Sequence, residues 1–326
     1  MISRVAVLDD YHHVFDADSA IQHLRKRVPV DVFTEHQPVE RLREYQALIA
    51  LRERTKFDAA FFAAMPQLEL ISQTGHHVYH VDMDAATRVG VLVGLGLGKH
   101  GAGQGGSTSE LAIGLMIALL RRIPQTDRAV RNGEWPLVLG RSLRGKTLGL
   151  LGLGRVGGGV ARLAQAFGME VLAWSPHLTP ERAAQHGVRA MDLDELLEAA
   201  DIVSVHLTLS DTSRGLLTEE RLRRIGPNSW LINTSRGPIV DEAALARVLA
   251  EGALGGAALD VFGEEPLPAD SPFTKLDNVV LTAHLGWPAD DTYHLMAEGT
   301  AELVEAYMDG TYDKGLNPEA LKNRRP

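Results

Sequence analysis

Three glycines, Gly152, Gly154 and Gly157, constrain this chain more than any other feature. They lie in GLGRVG (152 to 157), between the β-rich run TLGLLGL (147 to 153) and a helical segment from Val156 to Phe167, so they mark a strand–turn–helix corner. At such a corner the first glycine permits a tight turn, the second lets a bound group approach the backbone, and the third lets helix and strand pack closely. The helix N-terminus beyond it attracts anions. The spacing alone is a weak signal, but it heads a series. EVLAWS (170 to 175), DIVSVHL (201 to 207), SWLINTS (229 to 235), AALDVF (257 to 262) and VVLTAH (279 to 284) follow, with helices between them. Thr179 before Pro180 has the pattern of an N-cap and first helical residue, and Asp241 starts a later helix. Six strands in this order predict a doubly wound parallel sheet whose glycine corner receives the pyrophosphate of a dinucleotide.

At roughly 150 residues per domain, 326 residues leave room for a second domain. The first third supplies it. RVAVLD (4 to 9), VDVFTE (30 to 35), ALIALR (47 to 52), LELISQ (68 to 73) and VGVLVG (89 to 94) are β-rich, and amphipathic segments lie around Ala20 to Val28, Val39 to Glu44 and Lys56 to Ala64. This alternation predicts another parallel sheet covered on both faces. After GLGLGKHGAGQGG (94 to 106), Ser107 and Glu110 have capping-box spacing and open an apolar helix. Its apolar core, Leu111 to Leu120, is far short of the roughly 20 residues a bilayer requires, and it reads as a buried helix. A final helix, about Asp291 to Met308, is expected to return to the first domain. The predicted domains are therefore residues 1–102 with 291–326, and residues 103–290, with a cleft expected between them.

Composition removes several kinds of chemistry. With no cysteine there is no disulfide, thiolate nucleophile or cysteine-ligated metal. A formal net charge of -9 repels nucleic acid and anionic membrane over most of the surface. His12, His13, His76, His77 and His80 lack carboxylate–histidine spacing and read as loop histidines, not metal ligands. Ile2 to Asp10 reads as a buried strand where a signal peptide would lie, which points to a cytoplasmic protein.

NTSRGPIVDEAAL (233 to 245), GAALDVFGEEPLP (256 to 268) and LTAHLGW (281 to 287), downstream of GLGRVG, resemble the D-isomer-specific 2-hydroxyacid dehydrogenases. LRERT (51 to 55), TGHHVYHVD (74 to 82) and STSELAIGLMIALLRR (107 to 122) stand where that family leads one to look for them. The resemblance implies an α/β protein with two Rossmann-like domains built on parallel sheets: a flavodoxin-like substrate domain and a doubly wound dinucleotide-binding domain. It further implies an NAD(P)-dependent oxidoreductase that interconverts a D-2-hydroxy acid and its 2-keto acid. A homodimer follows as well, since the helix Leu111 to Leu120 and NGEWP (132 to 136) resemble the family's dimer arm. Two rivals share the fold, a dehydrogenase of formate or phosphite and a dinucleotide-sensing regulator or corepressor.

Carried over by motif, the resemblance makes Arg236, Glu265 and His284 the catalytic set. A planar guanidinium can hold a carboxylate and polarise the neighbouring ketone. An imidazolium can protonate the forming alkoxide, and a carboxylate beside it favours the charged form and fixes the ring. The same carry-over puts Gly75 and His76 in a loop that binds the substrate carboxylate, with Arg52 beside it. It places Arg155 and Val156 at the pyrophosphate, Leu207 and Thr234 along the cofactor, and Asp260 near the nicotinamide carboxamide. Ser175 stands where an acid would bind the adenosine ribose, and His177 follows it, so NAD is expected with tolerance of NADP. Two departures from the family are Thr108 and Ser109, where valine and alanine are usual, and the pair His76 and His77.

Overall fold

In a computed structural model of the chain, which describes residues 2–75, 77–97, 106–312 and 315–323, the β-rich runs become short, largely buried strands. The first are β1 (Val5–Leu8), β2 (Val30–Val32), β3 (Ala47–Ala50), β4 (Leu70–Gln73) and β5 (Leu92–Leu95). Every neighbouring pair is parallel, in the order β2-β1-β3-β4-β5. This is the flavodoxin-like order, in which helices cover both faces and the strands lose their alternation of apolar and polar residues. Helices α1 (Ser19–Leu24), α2 (Ala59–Ala64) and α3 (Met83–Val89) connect the strands. Each is capped by an aspartate, Asp18, Asp58 or Asp82, whose carboxylate accepts a first-turn amide. The sequence reading differs in two places. Val39–Arg41 is a single 3-10 turn, too short to complete an α-helical ladder, and α3 was not anticipated.

The second sheet follows two helices, α4 (Gly106–Leu120) and α5 (Ile123–Arg131). Its elements are β6 (Thr147–Leu151), α6 (Arg155–Ala166), β7 (Glu170–Trp174), α7 (Pro180–Ala184), β8 (Arg189–Ala190), α8 (Leu193–Ala199) and β9 (Ile202–Val205). They continue as α9 (Glu219–Ile225), β10 (Trp230–Asn233), α10 (Glu242–Ala250), β11 (Gly256–Leu259) and β12 (Val279–Leu281). The strand order is β12-β11-β10-β9-β6-β7-β8, again parallel throughout, so the chain reverses direction across the sheet between β6 and β9. Seven strands replace the six predicted, because β8 is only two residues long and not buried. Apolar α4 packs on α6 and against β10, β11 and β12, which explains why its hydrophobic residues are not confined to one stripe. Ser107 lies inside this helix instead of capping it, and its hydroxyl donates to the Gly286 carbonyl at 3.0 Å.

The last long helix, α11 (Asp290–Met308), packs on α1 and β4. The Ser72 hydroxyl of β4 donates to the Thr300 carbonyl within it at 3.1 Å. The chain thus forms two compact units, Met1–Gln104 with Asp290–Pro326, and Gly105–Ala289. No helix among the described residues is long and apolar enough to cross a membrane.

Candidate active site

In an open parallel sheet, ligands bind beyond the carboxyl ends of the strands, near the point where strand order reverses. In the second unit β6 borders that point, and the glycine corner follows it. Gly152 has φ +104, and a Cβ there would lie 2.6 Å from the His206 carbonyl oxygen. At Gly157 a Cβ would lie 2.1 Å from the Gly152 carbonyl oxygen, so helix and strand meet backbone to backbone. Gly154 has open space in front of it. The three positions therefore meet the three demands of a dinucleotide corner separately. Gly154 is also the N-cap of α6 and offers no side-chain acceptor, whereas Thr179, Asp192, Thr218 and Asp241 cap α7, α8, α9 and α10. The N-terminus of α6 thus lacks a side-chain cap, as a helix end that receives an anion does. His206 is half-buried behind the corner, with Nε2 2.8 Å from the Ser204 hydroxyl. Burial pushes its pKa down to about 4, so the ring is neutral at physiological pH.

The rest of the cofactor set lies on neighbouring strand ends. Ser175 follows β7 and opens a turn in which the Leu178 amide donates to the Ser175 carbonyl at 3.1 Å. His177 is exposed at the tip of that turn. Arg182 on α7 reaches back to it, with Nη1 donating to the His177 carbonyl at 3.2 Å. Sequence reasoning missed this arginine. Leu207 is buried just beyond β9, and its carbonyl accepts the Ser235 hydroxyl. Thr234, beyond β10, buries Oγ1 with no hydrogen-bond partner among the described residues. A buried, unpaired hydroxyl is costly, and a bound polar group would satisfy it. Together with the open cradle at Gly154 and the uncapped α6, it makes these residues fit a dinucleotide.

Arg236, Glu265 and His284 come from the ends of three adjacent strands, β10, β11 and β12. Arg236 is half-buried, and Nη1 donates to the Ser235 carbonyl at 2.6 Å. Its loop is folded by Asn233, which accepts the Ser235 amide through Oδ1 and donates to the Arg236 carbonyl through Nδ2. Gly237 lets that loop press against the one after β11, since a Cβ there would lie 2.1 Å from the Phe262 carbonyl carbon. In the β11 loop, Glu265 accepts the Phe262 amide at 2.9 Å through Oε1 and meets His284 Nδ1 at 2.7 Å through Oε2. One carboxylate oxygen anchors the acid, and the other orients the imidazole. Nε2 is left as the nitrogen that can address a substrate.

His284 itself has φ +55, a left-handed conformation uncommon outside glycine. Asp260, wholly buried at the end of β11, explains how it is held. Its carbonyl accepts the His284 amide at 2.9 Å, Oδ1 accepts the Leu285 amide at 2.7 Å and the Thr282 hydroxyl at 2.6 Å, and Oδ2 accepts the Gly286 amide at 2.9 Å. The sequence reading gave Asp260 to the nicotinamide carboxamide. Three of its roughly four lone-pair positions are committed to residues 282 to 286, which leaves one for such a contact.

In the first unit, Arg52 follows β3 with φ +56. Thr74 Oγ1 accepts its amide at 2.8 Å, and Gln73 Nε2 donates to its carbonyl at the same distance. The guanidinium lies over Gly75, where a Cβ would come within 2.6 Å of Nη1 and where φ is +89. Arg52 and Gly75 are thus brought together; His76 lies outside the described residues. Sequence reasoning missed Glu53, which sits 2.8 Å from His77 Nδ1 and 3.7 Å from Arg52. Burial pushes this carboxyl upward, but the bond to His77 and the charge of Arg52 outweigh it and hold the pKa at about 2. Arg54, also overlooked, donates to the Asp9 carbonyl at 2.6 Å and to Tyr293 of α11 at 3.3 Å. Among the described residues no three histidines or acids are grouped as metal ligands would be.

Comparison with known proteins converges on one family. Residues 113–286 match the model for "D-isomer specific 2-hydroxyacid dehydrogenase, NAD binding domain". The chain is 34% identical over 322 residues to a glyoxylate reductase of Korarchaeum cryptofilum, covering 95% of this chain and 96% of that protein. It is 40% identical over 275 residues to a D-3-phosphoglycerate dehydrogenase of Archaeoglobus fulgidus, covering 82% of this chain and 51% of that longer protein. A crystal structure of a phosphoglycerate oxidoreductase from Vibrio cholerae superposes with a TM-score of 0.83 at 34% identity, covering 95% of this chain and all of that one. The matched length, the two parallel sheets and the residues gathered at their carboxyl ends establish that this chain belongs to the D-isomer specific 2-hydroxyacid dehydrogenase family.

Proposed function

We propose that this dehydrogenase reduces a small 2-keto acid to the D-2-hydroxy acid, with His284 as proton donor, Glu265 as its orienting partner and Arg236 as the group that holds the carboxylate and polarises the ketone. The observation that carries the assignment is the 2.7 Å contact between Glu265 and His284 Nδ1, which leaves Nε2 to protonate the oxygen of the forming alkoxide. NAD(P)H, when bound, supplies the hydride. The corner at Gly152, Gly154 and Gly157, with Arg155 and Val156, takes the pyrophosphate; Thr234 and Leu207 line the cofactor, and Ser175 and His177 take the adenosine ribose. Arg52 and Gly75, with His76 of the same loop, attract and hold the substrate carboxylate. Glyoxylate is the first substrate to try, given the glyoxylate reductase relative. The test is a panel of glyoxylate, hydroxypyruvate, pyruvate and branched or aromatic 2-keto acids with NADH and NADPH in parallel. Turnover with none of them would overturn the assignment.

Cofactor choice follows from the tip of β7. Ser175 can bond a ribose hydroxyl but carries no charge to repel a 2′-phosphate, and Arg182 brings a cation to the same turn. NAD and NADP should therefore both serve. Ser175→Asp should lower kcat/KM with NADPH at least tenfold more than with NADH. Wild-type discrimination against NADPH beyond about a thousandfold, roughly 4 kcal/mol at 1.36 kcal/mol per decade, would contradict this reading.

The homodimer implied by the resemblance is supported by the segment after α5. There Trp135 is 82%, Leu137 95% and Leu139 98% exposed, a concentration of apolar surface unusual for a monomer. Sedimentation at micromolar concentration should show a species of twice the chain mass. A single 35.4 kDa species would exclude the dimer.

A further inference from the structure

We propose that Ser107 and Thr108, in the first turn of α4, are positioning residues for His284. Both hydroxyls donate to one acceptor, the Gly286 carbonyl, Ser107 at 3.0 Å and Thr108 at 2.7 Å. A serine or threonine inside a helix usually turns its hydroxyl to solvent or back to a carbonyl of the preceding turn. Here two successive residues bond across 179 and 178 positions of sequence to the same oxygen, two residues beyond the histidine.

The loop is thereby held on both sides. Its three consecutive amides, at His284, Leu285 and Gly286, are all taken by Asp260, and the carbonyl that closes the segment is taken by α4. The fit around Gly286 is close. A Cβ there would lie 3.2 Å from Asp260 Oδ2 and 3.2 Å from Thr108 Cγ2, so the glycine is seated between the two clamps. His284 occupies a left-handed conformation that its own side chain does not favour, and such a conformation persists where the surroundings over-determine it. Asp260 fixes where the loop begins, and Ser107 and Thr108 fix where it ends. Together they aim an imidazole whose proton transfer depends on hydrogen-bonding reach. Of the two, Thr108 is also a position at which the sequence departs from the family pattern.

The inference rests on the assignment of His284 as proton donor, and one double-mutant cycle separates the two. The variants are His284→Ala, Ser107→Ala/Thr108→Val, that pair with His284→Ala, and Ser107→Ala/Thr108→Ser. Each is assayed for kcat, KM for the keto acid, NADH affinity by fluorescence, and melting temperature. With His284 intact, the hydroxyl-free pair should lose at least tenfold in kcat, with KM and NADH affinity within about twofold, and Thr108→Ser should restore most of the loss. In the His284→Ala background the same pair should cost no more than twofold. An equal loss in both backgrounds would show that the hydroxyls act on something other than His284 and would overturn the proposal. So would an unchanged kcat in the folded pair. Near-normal turnover by His284→Ala alone would instead refute the proton-donor assignment.

Discussion

Replacing His284 by Ala should lower keto-acid reduction by about two to four orders of magnitude, the usual contribution of a positioned general acid, while NADH binding should stay close to that of the wild type. The reason is local. His284 meets Glu265 through Nδ1, and among the described residues its remaining nitrogen has no structural partner to give up when it transfers a proton. The glycine corner proposed to take the pyrophosphate is on β6 and α6, four strands away in the sheet from β12, and should lose nothing. Single-turnover reduction followed at 340 nm, with NADH binding measured separately, distinguishes a missing proton from a damaged cofactor cradle. Turnover near the wild-type value in a folded variant would remove His284 from the mechanism.

The second large effect is expected at Arg236. Arg236→Lys keeps the charge but should cost at least about a hundredfold in kcat/KM, since an ammonium cannot reproduce a planar two-pronged contact and one lost electrostatic donor is commonly worth that much. The loop would survive the change. Asn233 grips it through the backbone of residues 235 and 236, not through the guanidinium, so the variant tests chemistry and not folding. Arg52→Ala should differ in kind, raising KM with a smaller effect on kcat, because its guanidinium is seated over the Gly75 loop as an anchor for the substrate's carboxylate. A loss confined to kcat in both variants would reject this division between the two arginines.

Both sheets were legible because parallel strands buried on two faces leave runs such as ALIA (47 to 50) and WLIN (230 to 233) with almost no polar interruption. The glycine corner was legible because each glycine has its own steric reason, and Arg236 and His284 because each closes a readable strand. What escaped shows where such reading fails. Strand β8 is one exposed and one half-buried residue on a sheet edge, with no pattern long enough to register. Helix α3 was signalled by Asp82 as its N-cap and Gly90 as its left-handed C-cap, yet the neighbouring histidines drew attention to loop chemistry instead. Arg182 is seven residues beyond Ser175, and only the helical turn after Thr179 folds it back. The Glu53–His77 pair spans 24 positions, which become neighbours because β3 and β4 are adjacent and parallel. Ser107 carried the right spacing for a cap and a different bond, since capping depends on where the helix begins and not on residue type alone.

The return of α11 to β4 also sets an order of events during synthesis. Strands β1 to β5 are made first, but the helix that covers part of their sheet is made more than 190 residues later, after the whole of the second unit. Until then the face of β4 that receives Thr300 is open, and closing that gap pays the entropy of a very long loop. The second unit, contiguous in sequence, can complete its core while the first still waits, and it shortens the effective loop by bringing its own two ends to a fixed separation. The part of the chain that leaves the ribosome first is therefore the part that becomes native last, an order that hydrogen exchange during refolding would read directly.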